Sequence, residues 1–367
     1  MTAPPISSRV HGGADALGAP RVDFSTNSNA CGPCPQALAA VQAADATLYP
    51  DPLYTALRQR LAAFHRVTPE RVLLAGSASE FIFRITAWVK GQGAHQAPRT
   101  VCLPRHAYGD YAHAAQAWGL QSTAQPDAAD LVWACEPSSP LGQAHTTWPA
   151  WLHRTADGAL HTSPAAPEPL CNTVVLDSAY APLRLGGTPS LSDAQRTKVW
   201  QLFSPNKALG LTGVRAAYAI APADAQQAAA QLDALAPSWV LGAHGVALLM
   251  AWTQADTQAW LHSSLQTLRG WKQRQVQGLQ ALGWTVQPSD TPFFCAHPPQ
   301  GVNAVELCAQ LRAQDIKLRD AASFGLPGWV RLGVLPPQAQ EALGNALSAQ
   351  VFPKSAQYGL QLFEHLK

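Results

Sequence analysis

The hydrophobic positions of this chain fall into short apolar runs, each ended by polar or turn residues. Runs of this kind are typical of buried β-strands. Helical patterns lie between many of them, as in Phe81–Val89. We therefore expect an α/β fold with a mainly parallel central sheet that helices cover on both faces. The predicted strands are Arg71–Ala75, Val101–Leu103, Leu131–Ala134, Thr173–Leu176, Lys198–Phe203 and Ala216–Ala221.

The C-terminal part of the chain has a different pattern. Residues 223–282 are rich in Ala, Gln and Leu, which predicts helices. Two strands and two helices predicted beyond them indicate a smaller α+β domain. These four elements are Pro292–Ala296, Ala304–Gln314, Trp329–Val334 and Gln338–Val351. Two polar stretches, Gln121–Asp130 and Thr155–Pro169, are expected to be surface loops.

Composition supports a well-buried globular protein, since 47% of the residues are hydrophobic and only 13% are charged. The net charge of +2 gives no electrostatic reason to expect nucleic acid or a membrane surface as a partner. No apolar run approaches the roughly 18–20 residues of a membrane span. The first residues lack the basic-then-apolar layout of a signal peptide, so we expect a cytoplasmic protein.

Seven cysteines, scattered and odd in number, indicate reduced thiols rather than a disulfide framework. Cys31 and Cys34 form a Cys-Gly-Pro-Cys segment before a helical pattern, an arrangement that also occurs in redox proteins. The turn-like residues before it argue against that interpretation. No second pair of ligands lies nearby, so we expect no metal site.

The strongest chemical candidate is a lysine in a Gly-containing loop between two predicted strands. Lys207 has a hydroxyl three residues before it, Ser204, and an arginine eight residues after it, Arg215. A lysine can bind an aldehyde cofactor through an imine, while the hydroxyl and the guanidinium hold a phosphate. This loop therefore indicates a phosphorylated aldehyde as the cofactor.

Three other strand ends carry residues that suit such a cofactor, each with a structural alternative. Ser77 and Ser79 open a helix, where they would bind phosphate or serve only as helix caps. Asp177 ends a strand, where it would pair with a pyridinium nitrogen or cap a helix. Tyr108 follows another strand and would stack on a flat ring or pack in the core.

The order and placement of these residues resemble those of fold type I enzymes that depend on pyridoxal 5′-phosphate, the class I/II aminotransferase superfamily. The resemblance covers nearly the whole chain and implies the aspartate aminotransferase-like fold. It makes Lys207 the cofactor lysine, Asp177 the partner of the pyridine nitrogen and Tyr180 the neighbour of the ring hydroxyl. The implied cofactor-binding residues are Ser77, Ala78, Ser79, Tyr108, Ser139, Asp177, Tyr180, Ser204, Asn206, Lys207 and Arg215.

The N-terminal residues resemble one group within this superfamily more closely. His11-Gly12-Gly13 and the segment 23–29 are similar to the opening of L-threonine-O-3-phosphate decarboxylases, the lyases of cobalamin biosynthesis. In the related histidinol-phosphate aminotransferases, the tyrosine that matches Tyr49 reaches the cofactor phosphate of the neighbouring subunit, which implies a homodimer with shared active sites. The implied substrate is a phosphorylated amine, and the implied substrate-binding residues are Arg331, Arg319, His11 and Asn29.

For two of these residues the sequence leaves a structural alternative open. Arg331 would grip the substrate carboxylate or would be an exposed strand residue. His11 would contact the substrate phosphate or belong to a mobile arm.

Two features set this chain apart from the family pattern. Cys31 and Cys34 lie where the family has a turn that enters a helix, so the resemblance makes them loop residues. The family usually has Asn-Pro-x-Asn-Pro-x-Gly after a central strand, and its second Asn bonds the ring hydroxyl. Here Ser139 replaces that Asn within Glu136–Gly142.

The resemblance divides the chain into an arm at residues 1–48 that crosses the active site and joins the small domain, a large domain at 49–235 and a small domain at 236–367. Three functions remain open. A threonine-phosphate decarboxylase is expected first and an aminotransferase such as histidinol-phosphate aminotransferase second. A catalytically impaired binding protein is the third, suggested by Ser139.

Overall fold

The computed structural model describes residues 11–92, 98–153 and 172–351. The predicted loop Thr155–Pro169 lies outside these ranges, as do the first ten residues. None of the helices in the described ranges combines the length and the apolarity that crossing a membrane requires.

Thirteen short strands occur in the described residues. In chain order they are β1 (Val22–Asp23), β2 (Val72–Ala75), β3 (Thr100–Cys102), β4 (Gln121–Thr123), β5 (Leu131–Cys135), β6 (Thr173–Asp177), β7 (Trp200–Phe203), β8 (Ala217–Ile220), β9 (Thr285–Val286), β10 (Phe293–His297), β11 (Ile316–Lys317), β12 (Arg319–Asp320) and β13 (Val330–Gly333).

The α-helices alternate with these strands in the first two thirds of the chain. They are α1 (Pro35–Gln42), α2 (Thr55–His65), α3 (Ala78–Gly91), α4 (Gly109–Ala117), α5 (Asp193–Arg196), α6 (Gln226–Ala234), α7 (Ala243–Trp252), α8 (Ala255–Ala281), α9 (Ala304–Ala313) and α10 (Pro337–Val351).

The central sheet has seven strands in the order β2-β8-β7-β6-β5-β3-β4. All neighbouring strands are parallel except β8, which is antiparallel to both β2 and β7. The reversal arises because β7 returns into β8 through a loop rather than through a crossover helix. The predicted mainly parallel sheet is confirmed, and the six strands predicted for it are all present within one or two residues of their predicted ends.

The central sheet has one strand, β4, where the sequence predicted a loop. Residues 121–130 were expected to form a surface loop, yet Gln121–Thr123 pairs in parallel with β3 at the edge of the sheet. The side chains of this short strand are exposed or half-buried. An edge strand with polar residues buries no apolar face, so it gives no hydrophobic signal in the sequence.

Alternate residues of the strands face opposite sides of the sheet, as the pleat requires. Leu73 packs with α3, α4 and α6 on one side, whereas Leu74 packs with α1, α2, α7 and α8 on the other. A third cluster lies around Val174 and Leu176 of β6. Helices therefore cover both faces of the sheet and leave its strand ends open.

A four-stranded antiparallel sheet, β12-β13-β10-β9, forms the C-terminal α+β unit that the sequence predicted. The 27-residue helix α8 leads into it and contacts both β9 and α10. The arm reaches the same part of the molecule, because β1 pairs in parallel with β11. The domain boundaries at residues 48 and 235 stay predictions.

Candidate active site

The predicted catalytic residues meet at the carboxyl ends of the central parallel strands. Cys135, which ends β5, lies opposite Asp177, which ends β6. Asp177 in turn lies opposite Leu202 of β7, and the loop that carries Lys207 leaves β7 at the same edge. Open α/β sheets bind ligands in the crevice outside the carboxyl ends of their strands, so this edge is the candidate active site.

The Lys207 amine is held inside this site. Its Nζ donates to Ser204 Oγ at 3.0 Å and lies 5.7 Å from the centre of the Tyr180 ring. Burial lowers the pKa of Lys207, the Asp177 charge raises it and the Arg215 charge lowers it. An amine that loses its proton more readily is a better nucleophile toward an aldehyde.

Asp177 is buried and has two hydrogen-bond donors. Tyr111 Oη donates to Oδ2 at 2.6 Å, and Ala179 N donates to Oδ1 at 2.9 Å. Burial raises the pKa of Asp177, and these two donors lower it. The Tyr111 ring stacks on Trp133 with centres 4.5 Å apart. Tyr111 was not among the predicted site residues, although it lies three residues after Tyr108 at the start of the same helix.

The N-terminal arm supports the backbone of the lysine loop. Asn29 N donates to Lys207 O at 2.9 Å. Gly210, with a φ of +68°, approaches the arm so closely that a Cβ there would lie 2.5 Å from Gly32 O. The loop therefore requires glycine at this position and depends on the arm for its conformation.

The Asn29 side chain does not match its predicted substrate contact. Nδ2 donates to Ala208 O at 3.0 Å and to Ser264 Oγ at 2.7 Å, and Oδ1 accepts from Cys31 N at 3.1 Å. Every polar group of this buried amide is thus engaged within the protein. We revise its role from substrate contact to support of the lysine loop.

The predicted phosphate site lies at the N-terminus of α3. Ser77 is the N-cap, because its Oγ accepts from Glu80 N at 3.0 Å. Ala78 and Ser79 lie in the first turn, where free N–H groups attract an anion. Ser79 Oγ is 3.1 Å from Tyr108 Oη, which joins the helix start to the predicted stacking residue.

The resemblance also places two residues of the lysine loop, Arg215 and Asn206, in the phosphate site. The exposed Arg215 side chain lies beside a cavity of about 410 Å³ that Gly242 and Gly245 also line. Asn206 Nδ2 instead donates across its own loop, to Thr212 O at 3.3 Å and Val214 O at 3.2 Å. The predicted donation from Asn206 to phosphate is not supported by this geometry, because its donors already hold the loop closed.

Tyr180 lies beside Lys207 and keeps its proton. Its ring packs edge-on against Phe293 at 4.7 Å, and its hydroxyl lies 3.4 Å from Asn27 Nδ2. Burial raises the pKa of Tyr180, and the charge of Arg331 lowers it. The hydroxyl is therefore a neutral donor in the site.

Arg319 and Arg331 face each other across β12 and β13, and both guanidinium groups lie over the Phe324 ring, at 4.8 and 5.3 Å. Arg331 Nη2 donates to Ser25 O at 2.6 Å, and Nη1 is 3.4 Å from Ser139 Oγ. Within the described ranges, its Nε has no hydrogen-bond partner and its charge has no carboxylate partner. Arg331 is 6% exposed, so the alternative of an exposed strand residue is wrong.

Ser139 lies in a loop that is fixed by a buried carboxylate. Glu136 accepts from Arg184 Nη2 at 2.9 Å and from Ser190 N at 2.7 Å. This ion pair is nearly excluded from solvent, with Glu136 4% exposed. Glu136 was not among the predicted site residues, since a single acidic residue in the sequence does not indicate its partners.

The remaining predicted site residues lie at the surface. The exposed His11 ring is 6.1 Å from that of Tyr108. Tyr49 is 80% exposed and packs against Trp239, with ring centres 4.5 Å apart. Both placements leave these side chains accessible to a ligand or to another subunit.

The Cys-Gly-Pro-Cys segment does not have the properties of a redox pair. Burial raises the pKa of Cys31 to about 11, and Cys34 is fully buried. A reactive thiol needs a lowered pKa and access to solvent, so the interpretation of both as loop residues is favoured. Among the residues that the structure describes, no group of three potential metal ligands occurs.

The chain is similar to known proteins over most of its length. The family model for aminotransferase class I and II matches residues 170–349. A histidinol-phosphate aminotransferase of Acetobacter pasteurianus is 28% identical over 338 residues, which cover 89% of this chain and 90% of that protein. Residues 170–349 thus match the class I/II aminotransferase family, and the similarity to its enzymes, which depend on pyridoxal phosphate, extends over most of the chain.

Solved structures show the same fold. The histidinol-phosphate aminotransferase of Sinorhizobium meliloti in complex with pyridoxal-5′-phosphate has a TM-score of 0.67 at 20% identity, covering 93% of this chain and 90% of its own. The L-threonine-O-3-phosphate decarboxylase of Porphyromonas gingivalis has a TM-score of 0.67 at 22% identity, covering 89% and 98%. The aspartate aminotransferase-like fold predicted from the sequence is confirmed.

The residues present fit pyridoxal phosphate. Asp177, a buried carboxylate whose hydrogen-bond donors in the described part of the chain are a phenol and a backbone N–H, suits the protonated ring nitrogen. The amine of Lys207 suits the aldehyde, and the free N–H groups in the first turn of α3 suit the phosphate. Arg215, whose charge acts on Lys207, is the cation predicted to hold the phosphate. The cofactor predicted from the sequence is therefore supported by both the site and the family.

Proposed function

We propose that the protein is an aminotransferase that acts on a phosphorylated amine of the histidinol-phosphate type. The observation that carries this proposal is Arg331, a buried guanidinium whose charge has no carboxylate partner in the described residues and which lies beside a second buried arginine, Arg319. Two adjacent cations suit an anionic substrate. Relatives that match most of the chain are named as histidinol-phosphate aminotransferases.

The proposed roles follow from the positions of the side chains. Pyridoxal phosphate supplies a ring that withdraws electrons from a bond at the amino-bearing carbon of the substrate. Asp177 keeps the ring nitrogen protonated, and Tyr180 donates to the ring hydroxyl. Lys207 Nζ, with its pKa lowered by burial, moves a proton at the substrate carbon.

The substrate side of the site is formed by the small sheet and the arm. Arg331 holds a carboxylate or a phosphate oxygen, and Arg319, whose pKa burial lowers to about 10, holds a second anionic group. Tyr108 stacks on the cofactor ring, and His11 closes the site from the arm. These contacts orient the substrate and exclude water.

A threonine-phosphate decarboxylase is the second candidate, because the two arm segments that resemble its opening, His11-Gly12-Gly13 and 23–29, pack closely on each other. Gly13 N donates to Ser25 Oγ at 2.9 Å, and a Cβ at Gly12 would collide with Ser25 O. A threonine-phosphate decarboxylase is a structural neighbour at 22% identity, whereas the sequence relatives named above are histidinol-phosphate aminotransferases. The curated relatives thus favour the aminotransferase, which the sequence analysis placed second.

One assay separates the two reactions. The purified holoenzyme is incubated with threonine phosphate alone, and with histidinol phosphate plus a keto acid. We expect keto-acid-dependent transfer of the amino group from histidinol phosphate and no release of CO₂ from threonine phosphate. Release of CO₂ without a keto acid would reverse the assignment.

We also propose a cytoplasmic homodimer with shared active sites. Tyr49 and Trp239 form an exposed aromatic pair, and Leu48 and Leu53 beside Tyr49 are 67% and 71% exposed. An exposed apolar patch of this kind suits a protein interface. Light scattering of the purified protein should give twice the chain mass, and Tyr49→Ala should weaken the dimer and the binding of the cofactor together.

A further inference from the structure

The arm segment 25–29 lies along the active site with alternate side chains turned inward. Ser25, Asn27 and Asn29 are buried, whereas Thr26 and Ser28 are half-buried. Buried and half-buried side chains thus alternate along this segment, so one of its faces is covered. The inward residues are polar, so the arm brings hydrogen-bonding groups rather than apolar packing to the site.

Asn27 is the inward residue whose hydrogen bonds are incomplete. It is 5% exposed, and Nδ2 is directed at Tyr180 Oη at 3.4 Å. Its Oδ1 has no hydrogen-bond partner among the described residues. A buried amide that leaves an acceptor unpaired costs free energy, so its place is not explained by stability. The side-chain contact of Asn27 with Tyr180 therefore indicates a function for this amide.

Ser139 lies in the same neighbourhood and is shorter than the residue that the family pattern has there. Its Oγ is 3.4 Å from Arg331 Nη1, the same arginine that bonds the carbonyl of Ser25. The site therefore lacks an amide at position 139 and has a buried amide at position 27.

We propose that Asn27 is a positioning residue that takes the place of the amide absent from position 139. Asn27 Nδ2 donates to the Tyr180 oxygen, and the Tyr180 proton is then directed at the ring hydroxyl of the cofactor. A hydroxyl that accepts a hydrogen bond becomes a stronger donor. The Asn27 amide therefore strengthens the hydrogen bond from Tyr180 to the ring hydroxyl, which in the family pattern is shared between a tyrosine and the Asn that Ser139 replaces. This inference rests on the proposed role of Tyr180 beside the cofactor.

The visible absorption of the lysine-linked cofactor, recorded against pH, tests this role without measuring turnover. Holoenzyme with Asn27→Ala or Asn27→Ser is compared with the unchanged protein. We expect the midpoint of the titration to rise by about one pH unit, a tenfold change in proton affinity. The reason is that the ring oxygen then receives a weaker hydrogen bond from Tyr180. It therefore holds the proton on the neighbouring nitrogen, which links Lys207 to the cofactor, more tightly. Adding Ser139→Asn to Asn27→Ala should return the midpoint toward its original value.

Thr26→Val is the matched control. Thr26 is the adjacent arm residue, and its hydroxyl donates to Asp23 Oδ2 at 2.6 Å, away from Tyr180. This variant should leave the midpoint unchanged. A midpoint that does not move in either Asn27 variant, with the cofactor bound, would overturn the inference. So would a shift that Ser139→Asn does not reverse.

Two further outcomes are kept separate by this design. If Asn27→Ala does not fold, the smaller change to serine decides the question alone, with the same expected direction. If the unchanged protein binds no pyridoxal phosphate, the proposed function fails before the role of Asn27 is reached.

Discussion

The phenol of Tyr111 donates a 2.6 Å hydrogen bond to the carboxylate of Asp177, and both side chains are buried. Burial and the Asp177 charge raise the pKa of Tyr111 well above its ordinary value, so the phenol stays a donor at any physiological pH. The bond lowers the pKa of Asp177 against the effect of burial. The bond therefore favours the charged form of the carboxylate, against burial, which raises the pKa more strongly.

We predict that Tyr111→Phe lowers the affinity for the cofactor more than it lowers the stability of the fold. The variant removes one hydrogen bond to a charged group, worth about 1.5–3 kcal/mol. Because Asp177 then holds its charge less well, the dissociation constant of pyridoxal phosphate should rise about tenfold or more. Cofactor titration followed by tryptophan fluorescence measures this change.

Tyr218→Phe provides the control for that experiment. Tyr218 is also a buried tyrosine, but its hydroxyl accepts from Trp252 at 3.0 Å and lies 2.8 Å from His65. Its loss should lower the free energy of unfolding by about 1 kcal/mol and leave cofactor affinity unchanged. Equal effects of the two variants on cofactor affinity would contradict a specific role for Tyr111.

We predict different effects for the two arginines of the small sheet. Arg331→Lys should lower kcat/KM about 10- to 100-fold, because a point charge replaces a planar fork. Arg319→Lys should lower kcat/KM more for the phosphorylated substrate than for its dephosphorylated analogue. Steady-state kinetics with both substrates separate the two roles. Arg58→Lys serves as the control, since Arg58 pairs with Asp233 at the surface.

The lysine loop offers a matched pair of glycines. Gly210→Ala should destabilise the protein by about 1–3 kcal/mol, because Gly210 has a φ of +68° and its new Cβ would meet Gly32 O at 2.5 Å. Gly213→Ala lies in the same loop, and its Cβ would have no contact within 4 Å. Thermal unfolding of the apoprotein should show a clear loss for the first variant and almost none for the second. A comparable loss in both would mean that the arm does not constrain the loop.

Stability should fall on mild acidification because of His65. Burial lowers the pKa of His65 to about 4, against 6.5 when unfolded. The native state thus binds this proton less readily than the unfolded state, so its stabilising effect is complete above pH 6.5. It is lost as the pH falls toward 4, by up to about 3 kcal/mol.

Urea unfolding at pH 7.5 and at pH 4.5 measures this effect. In His65→Gln the glutamine does not titrate, so the part of the pH dependence that belongs to His65 should disappear. The difference in unfolding free energy between the unchanged protein and the variant should shrink at the lower pH. A constant difference would show that His65 titrates normally in the folded state.

The sheet could be predicted because its inner strands are buried on both faces. Leu131–Cys135 and Thr173–Asp177 read as apolar runs for that reason. The edge strand Gln121–Thr123 could not be found, since its side chains are exposed or half-buried. The reversed direction of β8 was equally hidden, because strand direction depends on the path of the connecting loop.

The site was predictable where one residue type carries the chemistry at a strand end. Lys207 and Asp177 were found this way, and the structure brings them together. The resemblance implied a substrate contact for Asn29, whereas its amide hydrogen-bonds Ala208 O of the lysine loop and Ser264 Oγ of α8. Tyr111 and Asn27 were missed because their roles depend on contacts between distant segments, which spacing along the chain does not reveal.

Reduction of the purified holoenzyme with sodium borohydride, followed by peptide mass mapping, tests the central claim most directly. The cofactor should become fixed to Lys207, and Lys207→Ala should give no adduct. Lys272 is the informative competitor, since burial lowers its pKa to about 8 while Ser289 O holds its amine. An adduct on Lys272, or a cofactor-loaded protein that yields no adduct at all, would contradict the assignment of Lys207.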